Sequence, residues 1–273
     1  MKIIDKALIS SFYKTREDYS HKGDYGHALL IAGSYAKMGA ALIASKACLR
    51  SGVGLLTVLI SKEERHTINI FLPEAMLHFK EDVLDFSLYD VVGIGPGIEQ
   101  NESAQKLVYF ALLKANQNLI IDADALNILA KNLDWFNQLP TNTVLTPHPK
   151  EFDRLFGDHD SEEERRNTAI SKAKEYNCII VLKGHKTFIT NGIDSFENTT
   201  GNSGLAKGGS GDALTGIITA LLAQKYTSIE AAILGVYLHG LAADITLNSQ
   251  SKESMLITDV IENIGFAFQK NEE

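Results

Sequence analysis

HALLIAGSYAKMGAALIASKACLRSGVGLLTVLIS, residues 27–61, holds three elements in a row. HALLIAGS (27–34) is an apolar run of strand length that stops in a Gly-Ser turn. MGAALIASKACLRSG (38–52) is built of small residues and reads as a helix, and LLTVLIS (55–61) is a second apolar strand. Strand, helix, strand in that order is the crossover that joins parallel neighbours. Strands that are apolar on both sides need cover on both sheet faces.

The alternation continues outward. YDVVGIG (89–95), NLIIDADAL (118–126), TVLTP (143–147) and CIIVLKG (178–184) read as strands, the second ending in two acids. SAQKLVYFALLKA (103–115) is an amphipathic helix, and SEEERRNTAISKAKEY (161–176) opens with a serine cap and acids in its first turn. From Asp212 to about Gln269 the pattern is helical, with breaks near Tyr226 and Asn248. The fold expected is one three-layer α/β/α domain over residues 1–273, with a central, mostly parallel sheet. Ligands of such sheets bind beyond the carboxyl ends of the strands. Gly33-Ser34, Gly95-Pro96-Gly97, Asp122 with Asp124, Pro147-His148 and Lys183-Gly184 should therefore converge on one edge.

Composition narrows the classes of function. Hydrophobic residues are 45% of 273, enough for a large core, and charged residues are 22%. A net charge of −8 argues against nucleic acid or an anionic membrane as partner, so an anionic ligand needs a local device. No run reaches the roughly 18 apolar residues of a membrane span, and the charged N-terminal stretch lacks a secretory apolar core. Cys48 and Cys178 lie too far apart for a zinc or redox motif and read as buried thiols. A cytoplasmic protein is expected.

The chemistry concentrates in GNSGLAKGGSGDALTG (201–216). Gly208, Gly209 and Gly211 precede a helix, where free amides and the macrodipole favour an anion such as a phosphate. A carboxylate there repels phosphate. Asp212 makes sense as a base for a hydroxyl attacking that phosphate, as an indirect Mg²⁺ ligand, or as a helix cap. GIGPGI (93–98) offers either backbone amides or a tight turn, and IDADALN (121–127) either acids lining a site or a cap. Prolines on both sides of His148 in TPHPKE (146–151) hold that residue stiffly at a strand end, as a substrate contact or simply as a surface histidine in a turn. Lys183, Gly184, His185, Lys186 and Thr187 put cations and a hydroxyl near the phosphate, or form a hairpin. Ala40 and Ala41 leave room either for a ligand or for a neighbouring helix. His66, His78 and His239 lack metal-ligand spacing and receive no role.

Taken together and in this order, the motifs resemble the ADP- or ATP-dependent NAD(P)H-hydrate dehydratases of the ribokinase-like superfamily, from about Lys22 to Ile264. Lys150 departs from the glycine usual in that family's TPHPGE. The resemblance implies repair of NAD(P)H hydrated at C6 of the nicotinamide ring. Its hydroxyl is phosphorylated with ADP or ATP and Mg²⁺, and phosphate is then eliminated. It implies Asp212 as catalytic base, and Lys183, Gly184, His185, Lys186, Thr187, Gly208, Gly209 and Gly211 as nucleotide contacts. Ala40, Gly95, Gly97, Asp122, His148, Asn202 and Asp212 would contact the hydrated cofactor. A homotetramer and a separate epimerase are further implications. The competing readings are a ribokinase-like kinase of a vitamin-precursor alcohol and a nucleotide-binding module without turnover.

Overall fold

The computed structural model describes residues 1–115 and 118–272. Its strands are β1 (Lys2–Ile4), β2 (His27–Ile31), β3 (Leu55–Ile60), β4 (Met76–Phe79), β5 (Val91–Ile94), β6 (Leu119–Ile121), β7 (Val144–Leu145), β8 (Ile179–Leu182), β9 (Phe188–Thr190) and β10 (Ser195–Asn198). Its helices are α1 (Lys6–Ser10), α2 (Met38–Arg50), α3 (Arg65–Phe71), α4 (Glu102–Lys114), α5 (Ala123–Lys131), α6 (Pro149–Phe156), α7 (Glu162–Tyr176), α8 (Ser210–Ala223), α9 (Ser228–Thr246), α10 (Ile257–Glu262) and α11 (Ile264–Glu272).

The strands form one sheet in the order β1-β10-β9-β8-β7-β6-β5-β2-β3-β4. From β4 through β8 every neighbouring pair is parallel, and β9 alone runs antiparallel to both of its neighbours. The chain leaves β2 toward β3 on one side and returns to β5 on the other. That reversal opens a crevice at the ends of β2 and β5, where Gly33 N–H donates to the Pro96 carbonyl.

Side-chain alternation sorts the core into two layers. Leu30, Ile120, Val144 and Val181 face α2, α8 and α9, whereas Leu29, Ile31, Leu119, Ile121 and Ile180 face α4, α5, α6 and α7. The three-layer α/β/α architecture expected from the alternation is the one observed. Each fully buried Leu or Ile contributes about 1.5–3 kcal/mol over the exposed state. The small residues of α2 serve close packing within the chain: a Cβ on Gly216 of α8 would lie 2.0 Å from the Ala44 carbonyl oxygen. By length and apolar composition α9 could cross a membrane, yet 72% of its apolar window is buried inside the protein.

Several boundaries differ from the sequence reading. β6 ends at Ile121, because the α5 cap position falls at Asp122 and Asp124 already lies in that helix's first turn. Lys183 to Thr187 do link two antiparallel strands, β8 and β9. Lys150 sits exposed in the first turn of α6, a right-handed helix that accepts a side chain there, so it leaves the loop geometry intact.

Candidate active site

The first turn of α8 is the centre of the site. Gly209 takes the cap position at φ 93°, in the left-handed region that suits glycine, and no side chain caps the helix. The leading amides thus have no intrahelical partner and present a positive end to the sheet edge. Gly211 and Asp212 follow in that turn. They face different spaces.

Gly211 and Ser210 line a cavity of about 390 Å³. Lys183, Gly184, His185 and Thr187 form one wall of it, and Leu205, Leu214, Val236 and His239 supply apolar and aromatic surface. Asp212 instead lines an open cleft of about 440 Å³ with Lys37, Ala40, Gly97, Asp124 and Glu151. Gly97 and Ala40 touch, since a Cβ on Gly97 would lie 3.0 Å from the Ala40 Cβ. A side chain on Gly97, whose φ is 66°, would press on Ala40 and Lys37.

The wall between the two spaces is polar. Lys183 Nζ donates to Asp122 Oδ1 at 2.7 Å, and Thr215 Oγ1 donates to Asp122 Oδ2 at 2.8 Å. Asp122 is 1% exposed. Although expected among the substrate contacts, its carboxylate has both oxygens engaged by protein donors. Gly95 is likewise buried, its missing side chain allowing the strand end to pack on the Asp122 backbone. Asn202, also expected beside the substrate, lines the cavity with Gly211, and its side chain donates to Asp244 at 3.0 Å.

Other expected residues are placed as follows. His148 caps α6 in a reciprocal box: its ring accepts from Glu151 N–H at 3.2 Å, and its own N–H donates to Glu151 Oε2 at 2.9 Å. Partial burial, above all, holds the His148 imidazole below its ordinary pKa, with Lys183 and Arg154 adding to it against the pull of Glu151. Lys186 points away, pairing with Glu197 at 3.5 Å, and neither it nor Gly208 nor Gly209 lines the cavity. The last two shape the turn rather than its surface.

Burial pushes the Asp212 carboxyl up to about 6; the charges of Asp122 and Asp124 add to this, and Lys183 opposes it. A carboxylate with that pKa is a competent proton acceptor near neutrality. Asp124 is held by Glu99 N–H at 2.9 Å, Gln100 at 3.3 Å and Lys37 at 3.4 Å, which fixes the rim of the cleft.

The sequence reading missed Thr215, Lys37, Glu99 and His239. Thr215 follows Asp212 by three residues, the spacing that stacks side chains on one helix face, and that was its only local signal. Nothing local marks the others.

An α/β/α sandwich with a glycine-led helix between two ligand spaces defines the ribokinase-like class. The family model for NAD(P)H-hydrate dehydratases matches residues 28–265, and the chain belongs to that family. It is 37% identical to the ADP-dependent (S)-NAD(P)H-hydrate dehydratase of Bacillus subtilis, over 93% of this chain and 94% of the relative. It is 38% identical to the bifunctional NAD(P)H-hydrate repair enzyme Nnr of Escherichia coli, over 94% of this chain, and spans 50% of that relative's length. Among solved structures, the B. subtilis ADP/ATP-dependent NAD(P)H-hydrate dehydratase co-crystallized with ATP/Mg²⁺ superposes with a TM-score of 0.88. That match is at 33% identity and covers 99% of this chain and 98% of the other.

Proposed function

We propose that this chain is a hydro-lyase that restores NAD(P)H from its S-configured, C6-hydrated form at the expense of ADP or ATP. The observation that carries the reading is the position of Asp212 and Gly211, consecutive residues opening on separate spaces. A nucleotide in the enclosed cavity would lay its terminal phosphate on the α8 amides and Lys183. The hydrated nicotinamide would enter the cleft past Ala40, Gly97 and His148.

Asp212 accepts the proton of the C6 hydroxyl as that oxygen attacks the terminal phosphorus. The bond from phosphorus to the departing nucleotide breaks, giving AMP from ADP or ADP from ATP. The C6–O bond then breaks with its electrons on phosphate, a far better leaving group than hydroxide. Loss of a proton from C5 restores the ring double bond. The α8 amides and Lys183 stabilise charge on the phosphoryl group in transit.

Magnesium fits as a companion of the phosphates. It binds readily through phosphates, water and one or two carboxylates, without a cage of protein ligands. Among the described residues there is no cluster of three or more metal-ligating side chains. Asp212 is the carboxylate beside the phosphate position that accepts no hydrogen bond among them. When bound, the ion shields phosphate charge.

The same reading assigns the protein to the cytoplasm, pairs it with an epimerase activity that supplies the S form, and expects a homotetramer. Sedimentation would check the last. The reaction itself is tested by mixing the protein with hydrated NADH, Mg²⁺ and either ADP or ATP. Return of the dihydronicotinamide absorbance band is expected. Nucleotide binding without that band would favour a small-alcohol kinase or a binding module instead.

A further inference from the structure

We propose that Asp122 and Thr215 are positioning residues of the reaction, which together hold Lys183 in the wall between the two spaces and fix the helix turn that carries Asp212. The inference deepens the dehydratase reading and rests on it.

Lysine is a point charge on a flexible stem, so its placement depends on anchors. Lys183 has a strong one in Asp122 Oδ1 at 2.7 Å and a weaker one in Glu151 Oε2 at 4.0 Å. Gly211 is adjacent to the pair, where a Cβ would stand 3.2 Å from Lys183 Nζ and 3.6 Å from Asp122 Oδ2. The ammonium thus sits next to both the acid that holds it and the helix turn whose amides would take phosphate. Without Asp122, an arriving polyphosphate could draw Lys183 outward, away from the face where the hydroxyl attacks.

Thr215 supplies the second tie. Its side chain is fully buried, and its hydroxyl fixes the remaining oxygen of Asp122. It lies three residues beyond Asp212 on α8, so the bond also ties the first turns of that helix to the end of β6. Asp122 is consequently a group that acts through others: it is buried, and each of its oxygens already accepts from the protein.

The groups facing Asp212 set the direction of a pH readout. Asp122 stands at the end of β6, Lys183 beyond β8 and Asp124 on α5. Lys37 and Glu151 line the same cleft from the starts of α2 and α6. Asp122→Asn removes a negative neighbour and releases Lys183 from its partner. The first favours ionised Asp212, and its effect exceeds that of Lys183 drawn outward.

The test is steady-state kinetics across pH. Asp122→Asn should lower kcat by about tenfold or more, leave KM for hydrated NADH within about threefold, and move the acidic limb to lower pH. Thr215→Val should lower kcat about tenfold, and Thr215→Ser should restore most of it. A KM raised about tenfold at unchanged kcat would make Asp122 a substrate contact and overturn the proposal. An unmoved acidic limb would also overturn it, leaving Asp122 a merely structural acid. Should Asp122→Asn fail to fold, the Thr215 pair decides: full activity of the valine variant, or no rescue by serine, rejects the idea. A wild-type protein inactive with either donor would remove the dehydratase reading and this inference together; active wild-type with unaltered variants removes this inference alone.

Discussion

Gly211 and Asp212 are chain neighbours in one turn of α8, yet Gly211 opens on the enclosed cavity and Asp212 on the cleft. A helix turn advances about 100° per residue, so two successive positions naturally address two spaces. Under the proposed function, donor and acceptor would meet across this single backbone unit.

Asp212→Asn should reduce kcat by about 10²–10⁴-fold while nucleotide affinity, read by calorimetry, stays near wild type. Its stability effect has the opposite sign. The folded carboxyl titrates near 6, above an unfolded value near 3.9. Ionising it is therefore harder in the fold, and the penalty grows as pH rises from about 4 to 6 and is complete above that. The variant should melt higher than wild type at pH 8 and at the same temperature near pH 4. Equal melting at both pH values would mean that Asp212 is not perturbed.

Gly95→Ala should be among the most damaging single changes in the chain. Gly95 has φ 137°, and a Cβ there would lie 1.8 Å from the Asp122 carbonyl oxygen, which is backbone and has little room to yield. A loss of about 3 kcal/mol or more is expected, read by denaturant unfolding. Gly208→Ala is the control, because a Cβ there meets nothing within 4 Å. Its unfolding midpoint should stay close to wild type.

The sequence disclosed those elements whose signal is local. β2, α2 and β3 carry continuous apolar runs and a small-residue helix, and Ser161 caps α7 by accepting from Glu164 N–H as its position implied. β1, β4, β9 and β10 each carry a Lys, His, Thr or Glu and so lack the continuous apolar run that marks the equally short β6, β7 and β8. Asn191-Gly192 between β9 and β10 was nevertheless a hairpin signature. Within the site, the glycine-rich turn and Asp212 were legible because their chemistry is contiguous. The place of Asp122 was not. Its partners lie 61 and 93 residues further along the chain, and only the sheet brings them together.

His148 caps α6, and under the proposed function it also contacts the hydrated cofactor; substitution can separate the two roles. Alanine removes both the ring, which lies against the cleft residue Glu151, and the cap of α6, so it should lower stability by about 1 kcal/mol and raise KM for the hydrated cofactor. Asparagine is a good cap but a smaller, differently shaped contact. His148→Asn should keep the melting temperature within a degree or so of wild type while KM still rises. If asparagine restored KM as well, the histidine would be acting only through the helix start.

His239 gives the last prediction. It is 7% exposed on α9, lines the enclosed cavity, and its Nε2 has no hydrogen-bond partner among the described residues. Burial foremost, and then the charge of Lys183, hold the imidazole down to about 4. The fold thus keeps it neutral, while the unfolded chain takes up a proton below about 6.5. Stability tied to this group is complete above that pH and falls as pH drops toward 4. His239→Leu removes the titration together with an unpaired buried polar atom. The variant should therefore melt above wild type, and the gap should widen between pH 6.5 and pH 4, as read by calorimetric scans at constant ionic strength. A gap that did not change with pH would mean that the imidazole takes up its proton as readily in the fold as in the unfolded chain.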